Sequence, residues 1–307
     1  MKPKVIVIAG PTASGKTALS IELAKKINGE IISCDSMQIY KEMDIGTAKV
    51  TKDEMQGIKH YLIDIISPTE RYTVSDFKKD SEKAIEEILA KGKVPIVVGG
   101  TGLYVNSLIY GIEYMDMEFD SKYRDELMQI AESTEGLKKL YDEACKIDSL
   151  AMQKISENDK KRIIRVLEIY KVTGKNKTEL EILSREKGVK YDYRKFAINM
   201  EREKLYNRIN KRVDIMLSQG LVDEVKNIYE KYDKYPTAMQ ALGYKEVVEY
   251  LEEKVTYEEM VEKIKQETRR YAKRQMTWFR KNNDYIWLDS DNDIQNNVNI
   301  ILEEINE

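Results

Sequence analysis

Over the first third of the 307-residue chain, apolar positions alternate between a strand period and a helix period. Residues 4–9 form a near-continuous β-branched run, the pattern of a strand buried on both faces. Residues 16–27 follow, with Ala18, Leu19, Leu23, Ala24 and Ile27 at helical spacing. Residues 30–34 predict a second strand, 60–66 a third and 94–98 a fourth, the last preceded by an amphipathic helix over 75–91. Strand and helix in alternation imply a parallel sheet covered by helices.

Beyond Ile112 the strand pattern stops, and charged helical stretches such as "YRDELMQIAE" and "KRIIRVLEIYKVTGK" follow one another. This predicts a helical insertion. "KFAINM", residues 195–200, predicts a strand returning to the sheet, with helices over 202–218 and 221–231 parted by Gly220. The remainder reads as helical to about Lys281, and "YIWLDS", residues 285–290, as a last edge strand. The expected division is a core over residues 1–111 and 195–307, interrupted by an all-helical insertion over 112–194.

Composition fits a packed globule: 42% of residues are hydrophobic and 34% charged, the latter in both signs, which suits long solvated helices and excludes a disordered chain. The two cysteines, Cys34 and Cys145, lie far apart without CxxC spacing, which gives no disulfide framework or zinc site and suits free thiols in a reducing cytosol. The apolar run from Val5 to Ala9 is too short for a signal segment or a membrane span, so a cytoplasmic protein with no membrane partner is expected.

"GPTASGKT", comprising Gly10, Pro11, Thr12, Ala13, Ser14, Gly15, Lys16 and Thr17, fits GxxxxGK[ST] and sits between a predicted strand and a predicted helix. Glycines let backbone N–H groups curl around a polyphosphate, the helix N-terminus adds its positive end, Lys16 neutralises charge and Thr17 is placed to ligate Mg²⁺. The fold class is therefore α/β, with a P-loop NTPase-like parallel sheet. Nucleotide hydrolases of this class keep an acid on a later strand to position magnesium. Here "KVPIVVGGTGLY" runs from Val98 into Gly99, Gly100 and Thr101 with no carboxylate. The candidate acid is instead Asp35 in "IISCDSMQIY", just past the second strand, where open α/β sheets place their ligand crevice. Beside Lys16 and a metal, such a carboxylate stays ionised and can accept a proton.

"GPTASGKT", "DSMQIYKEMDIGTAK", "VVGGTGLY" and "ALGYKE", in that order, resemble the tRNA dimethylallyltransferases, also called tRNA isopentenyltransferases, over nearly the whole chain. The resemblance implies transfer of a dimethylallyl group from dimethylallyl diphosphate to the exocyclic amine of the adenine at tRNA position 37, beside the anticodon, with release of diphosphate and use of Mg²⁺. It implies that Asp35 is the catalytic base, that Asp35, Ser36, Met37 and Gln38 meet the target adenine, and that Thr101 contacts both substrate and diphosphate. It further implies tRNA contacts at Arg124, at Lys161, Arg162, Ile163, Ile164 and Arg165, and at Met239, Gln240, Ala241, Leu242, Gly243 and Tyr244. Arg208 and Arg212 fall where the family keeps arginines near the reaction channel; at Arg212 a solvated surface ion pair is the alternative. A monomer is expected.

The net charge of −3 hides one basic segment. Between Met260 and Asn283, Lys263, Lys265, Arg269, Arg270, Lys273, Arg274, Arg280 and Lys281 face only Glu262 and Glu267. On a helix, the six basic residues from Arg269 to Lys281 share one arc, opposite Tyr271, Ala272, Trp278 and Phe279. That arc is either a phosphate-binding stripe or a solvated face. Tyr40, Tyr104 and Tyr244 either stack on bases or pack in the scaffold. His60, the sole histidine, and Cys34 read as structural. Three other functions share the loop: a small-molecule or nucleotide kinase, a free-nucleotide prenyltransferase and a nucleotide-dependent switch.

Overall fold

The computed structural model describes residues 2–112, 120–186, 188–282 and 284–306. The chain divides into two compact units, one formed by Met1–Ile109 with Lys190–Glu307 and the other by Tyr110–Val189.

In the first unit, β1 (Lys4–Ala9), α1 (Lys16–Ile27), β2 (Gly29–Ser33), α2 (Lys52–Met55), β3 (His60–Tyr61), α3 (Val74–Ala90), β4 (Val94–Gly99) and α4 (Gly102–Ile109) follow in turn. β1 is apolar after its first residue and buried from Val5 on, as a strand covered on both faces must be. Thr73 and Asp76 close a reciprocal capping box that starts α3.

The expected strand over 60–66 is only two residues long. Leu62 and Asp64 adopt left-handed backbone (φ 60° and 56°), which turns the chain out of the sheet. What replaces the strand is a loop folded around Lys49, 9% exposed. Its ammonium pairs with Asp44 and Asp64 and donates to the Tyr40 carbonyl.

The second unit comprises α5 (Ser121–Ile130), α6 (Thr134–Ile147), α7 (Ser149–Met152), α8 (Lys160–Thr173) and α9 (Lys177–Glu186). Leu127, Leu137, Leu140, Met152, Ile163 and Leu167 form its core. Buried Asp148 caps α7 through the Ala151 N–H and holds α9 through the N–H and hydroxyl of Thr178.

Back in the first unit come β5 (Asp192–Asn199), α10 (Arg202–Ser218), α11 (Leu221–Lys231), α12 (Tyr244–Leu251), α13 (Tyr257–Arg280), β6 (Ile286–Asp289) and α14 (Ile294–Asn306). β5 begins three residues before the expected Lys195, because Asp192 already pairs with Lys4. The helical reading from 232 to 243 is corrected: beyond α11 the chain is extended at Tyr232, passes Pro236 and makes only the 3₁₀ turn Ala238–Gln240 before Gly243 (φ 90°) opens α12.

All sheet pairings are parallel, in the order β3-β2-β4-β1-β5-β6. β1 thus lies at the centre, and the loops leaving β1, β2 and β4 emerge side by side at the carboxyl edge, where such sheets bind ligands. No helix among the described residues is long and apolar enough to cross a membrane.

Candidate active site

The loop after β1 turns on left-handed backbone at Ala13 (φ 63°) and Gly15 (φ 95°), which aims the N-terminus of α1 into the crevice. Lys16 folds over this loop, its ammonium donating to the Pro11 carbonyl at 2.6 Å. Burial, and then the Arg212 guanidinium, push Lys16 down to about 8, against an opposing pull from Asp35. Burial, and then Arg208, likewise hold Arg212 below the ordinary arginine range. A Cβ on Gly15 would stand 3.8 Å from Arg208 Nη2. Lys16, Arg208 and Arg212 therefore converge on one loop, and among the described residues none of the three makes an ion pair with a carboxylate. Cations kept together at this electrostatic cost define an anion site. The Ser14 hydroxyl, buried in the same loop, has no hydrogen-bond partner in the protein.

Asp35 stands two residues past β2. Its Oδ1 accepts the N–H groups of Met37 (2.9 Å) and Gln38 (3.4 Å), a local turn that fixes the carboxylate. β2 and β4 deliver Asp35 and Thr101 to one place. Gly99 packs so tightly that an added Cβ would lie 2.0 Å from the Cys34 carbonyl oxygen. The Thr101 N–H donates to that same carbonyl at 3.3 Å, and the Thr101 hydroxyl accepts from the Ser36 N–H at 3.2 Å. The Tyr271 phenol on α13 is held above its ordinary range by burial and then by the Asp35 carboxylate. A cavity of about 320 Å³ opens here, lined by polar Thr12, Asp35, Arg212 and Arg274 and by apolar Met37, Val213, Met216 and Leu221.

The phosphate loop, Asp35, Thr101, Arg208 and Arg212 are thus brought together as the sequence predicts. Several expected contacts are corrected. The Thr12 N–H is not open to a phosphate, because it donates to Gln275 Oε1 at 2.9 Å. The Gln38 carboxamide is spent within the protein: it accepts from the Ser33 hydroxyl and donates to the carbonyls of Thr47 and Ala48, bracing the cavity wall. Tyr244 is fully buried and cannot stack on a base; Met239 is buried with it, while Gln240, Leu242, Gly243 and the largely buried Ala241 border the cavity.

In the helical unit, Ile163 and Ile164 are core residues, 0% and 2% exposed, so their side chains do not reach RNA. Lys161 and Arg162 are exposed beside them, and Arg162 also pairs with Asp159 at 3.3 Å. Arg124 grips Glu168 with two nitrogens, and Arg165 reaches the same carboxylate at 3.8 Å. On α13, Ala272 and Phe279 are buried as expected, but Trp278 is 37% exposed, its ring lying over Gly102. Lys273 and Arg274 are exposed on the basic arc, whereas Arg269 and Arg280 hydrogen-bond to Asn210 and Asn199 and Arg270 pairs with Glu267.

Gln275 and Glu224 are functional neighbours that the sequence reading missed. Glu224 accepts the N–H groups of Asp44, Ile45 and Gly46 and the Tyr244 hydroxyl, and so shapes the cavity loop. Gln275 carried a legible signal: it is a carboxamide on the arc of Ala272, Met276 and Phe279, where an apolar residue is the rule.

A parallel sheet whose central strand feeds a glycine-rich loop, a lysine and a helix N-terminus defines the P-loop class of phosphate-binding proteins, here with Gly99, Gly100 and Thr101 in place of the usual acid after β4. Within that class, the model of the IPP transferase family matches residues 38–282. The chain is 53% identical over 288 residues to a tRNA dimethylallyltransferase of Acetivibrio thermocellus, covering 94% of this chain and 92% of the relative. It is 50% identical over 290 residues to that of Carboxydothermus hydrogenoformans, covering 94% and 93%. Among solved structures, the full-length tRNA isopentenylpyrophosphate transferase of Bacillus halodurans superposes with a TM-score of 0.74 at 43% identity, over 99% of this chain and 96% of that one. A eukaryotic dimethylallyltransferase acting on tRNA superposes with 0.80 at 34% identity, over 99% and 80%. The chain belongs to the IPP transferase family, the tRNA dimethylallyltransferases.

Proposed function

We propose that this chain transfers the dimethylallyl group of dimethylallyl diphosphate to the exocyclic amine of adenine 37 in the anticodon loop of tRNA, releasing diphosphate. The observation that carries the reading is the convergence of Lys16, Arg208 and Arg212 on the phosphate loop, beside a cavity lined by Arg212, the Asp35 carboxylate and apolar side chains. Such a cavity suits a diphosphate joined to a hydrocarbon chain.

The adenine leaves the loop stack to enter the cavity, which costs less for a loop nucleotide than for a paired one. Its amine nitrogen bonds to C1 of the allyl chain as the C1–O bond to diphosphate breaks, and Asp35 takes the amine proton. Lys16, the arginines and the loop amides other than that of Thr12 stabilise the charge gathering on the leaving diphosphate. The Ser14 hydroxyl, otherwise unsatisfied, gains a phosphate oxygen as partner.

Among the described residues no cluster of three acidic, histidine or cysteine side chains could hold a metal alone. The hydroxyl of Thr17 is nonetheless a hard donor of the kind Mg²⁺ would take, with substrate phosphates completing its shell. Bound there, Mg²⁺ neutralises diphosphate charge. The exposed cations Lys161 and Arg162 on α8, and Lys273 and Arg274 on α13, are the proposed contacts to the RNA backbone.

The test is incubation of labelled dimethylallyl diphosphate with an anticodon stem-loop, with AMP, and of labelled ATP with either. Label on the adenine of the stem-loop is expected. Label on AMP alone would make the chain a free-nucleotide prenyltransferase, and ATP turnover without prenyl transfer would make it a kinase or a switch.

A further inference from the structure

We propose that Gln275 is a positioning residue that locks the phosphate loop to the loop carrying Thr101, and so fixes the distance between the diphosphate cradle and the base Asp35. The proposal rests on the reaction assigned above.

Gln275 is 6% exposed. Its Oε1 accepts the Thr12 N–H at 2.9 Å, and its Nε2 donates to the Gly100 carbonyl at 2.9 Å. The amide orientation is dictated by its partners, since the reverse would set donor against donor and acceptor against acceptor. Position 100 must be glycine for this contact: a Cβ there would lie 2.1 Å from Gln275 Nε2 and 3.0 Å from the Gly10 carbonyl oxygen. Three segments far apart in sequence therefore meet around one carboxamide.

No other side chain of this shape supplies one donor and one acceptor at neutral pH. The Gly100 carbonyl that Gln275 holds is followed directly by Thr101, whose hydroxyl accepts from the Ser36 N–H next to Asp35. Gln275 thus ties the phosphate loop to the loop whose next residue fixes the Ser36 amide beside Asp35. The Thr12 amide, turned to Gln275, is a tether in place of a phosphate donor. Misplacement of reacting groups by an ångström costs about a hundredfold in rate, so the lock acts on kcat, leaving RNA affinity to the exposed cations.

The experiment compares wild type with Gln275→Met, which keeps the bulk without hydrogen bonds, and Gln275→Glu, which keeps the shape without the donor. In single turnover with saturating stem-loop, both variants are expected to lose roughly tenfold to a hundredfold in rate, with stem-loop Kd within about twofold of wild type. In Gln275→Glu, protonating the introduced carboxyl restores one donor beside one acceptor, so its rate relative to wild type rises from about pH 8 to about pH 6. A merely structural role would not produce that acid recovery.

On the wild-type protein, amide hydrogen exchange at Thr12 provides a readout that needs neither a folded variant nor the assigned reaction: protection is expected. A single-turnover rate in Gln275→Met within about twofold of wild type, or a Thr12 amide exchanging as fast as an open loop, overturns the proposal. Failure of the wild type to prenylate the stem-loop would overturn the assigned reaction while the Thr12 measurement still decides the lock.

Discussion

Arg124 lies across both oxygens of Glu168, Nε to Oε1 at 2.6 Å and Nη2 to Oε2 at 2.9 Å. The carboxylate is 2% exposed, whereas the arginine side chain is 37% exposed. This fork joins α5 to α8 within the helical unit and gives Arg124 a structural role that its charge alone does not reveal.

Removing the arginine leaves the buried carboxylate with only the more distant Arg165, at 3.8 Å. Arg124→Ala is therefore expected to destabilise the helical unit by about 2 kcal/mol, less than for a fully buried pair because one partner is solvated. Adding Glu168→Gln should recover much of that loss. Urea denaturation of the two variants and the double variant checks it; an unchanged midpoint in Arg124→Ala would contradict the fork's role.

The Tyr244 ring is fully buried, and its hydroxyl donates to Glu224 Oε1 at 2.5 Å. Tyr244→Phe removes one hydrogen bond to a carboxylate that keeps three backbone donors, so a loss of about 1.5 kcal/mol in stability is expected. RNA affinity should not change. A fall in stem-loop affinity at unchanged stability would restore Tyr244 as a base contact.

Lys16 is pushed down to about 8 by burial and by Arg212. A neutral amine no longer attracts diphosphate, so kcat/KM for dimethylallyl diphosphate at saturating tRNA should fall as pH rises through about 8. The folding linkage has the opposite sign to that of a salt-bridged lysine. Its folded value lies below the ordinary 10.5, so keeping Lys16 charged opposes folding in full below pH about 8. That penalty is relieved between about 8 and 10.5. A flat kcat/KM profile across that window would contradict the low value.

Local patterns were legible wherever one segment carries its own signal. The bounds of β1, α1, α10 and α11 coincide with those read from periodicity, because continuous apolar runs, helical spacing and Gly220 act within a few residues. The cradle and Asp35 were legible because strand ends in a parallel sheet place ligand groups by topology. What the sequence hid are side-chain pairings between distant segments: Gln275 with Thr12, Glu224 with the amides of residues 44–46, and Arg124 with Glu168. The loop over 62–66 misled for the same reason. Its apolar run reads as a strand, but Lys49 holds Asp44, Asp64 and Tyr40 in a different path.

In the proposed reaction, Asp35 takes the proton of the attacking amine. Asp35→Asn keeps an oxygen to accept the Met37 and Gln38 amides, so the turn survives while the base is lost. Single-turnover transfer from dimethylallyl diphosphate to a bound stem-loop tests this directly. A rate loss of at least about a hundredfold is expected, with stem-loop affinity nearly unchanged; a rate close to wild type would contradict the role of Asp35 as base.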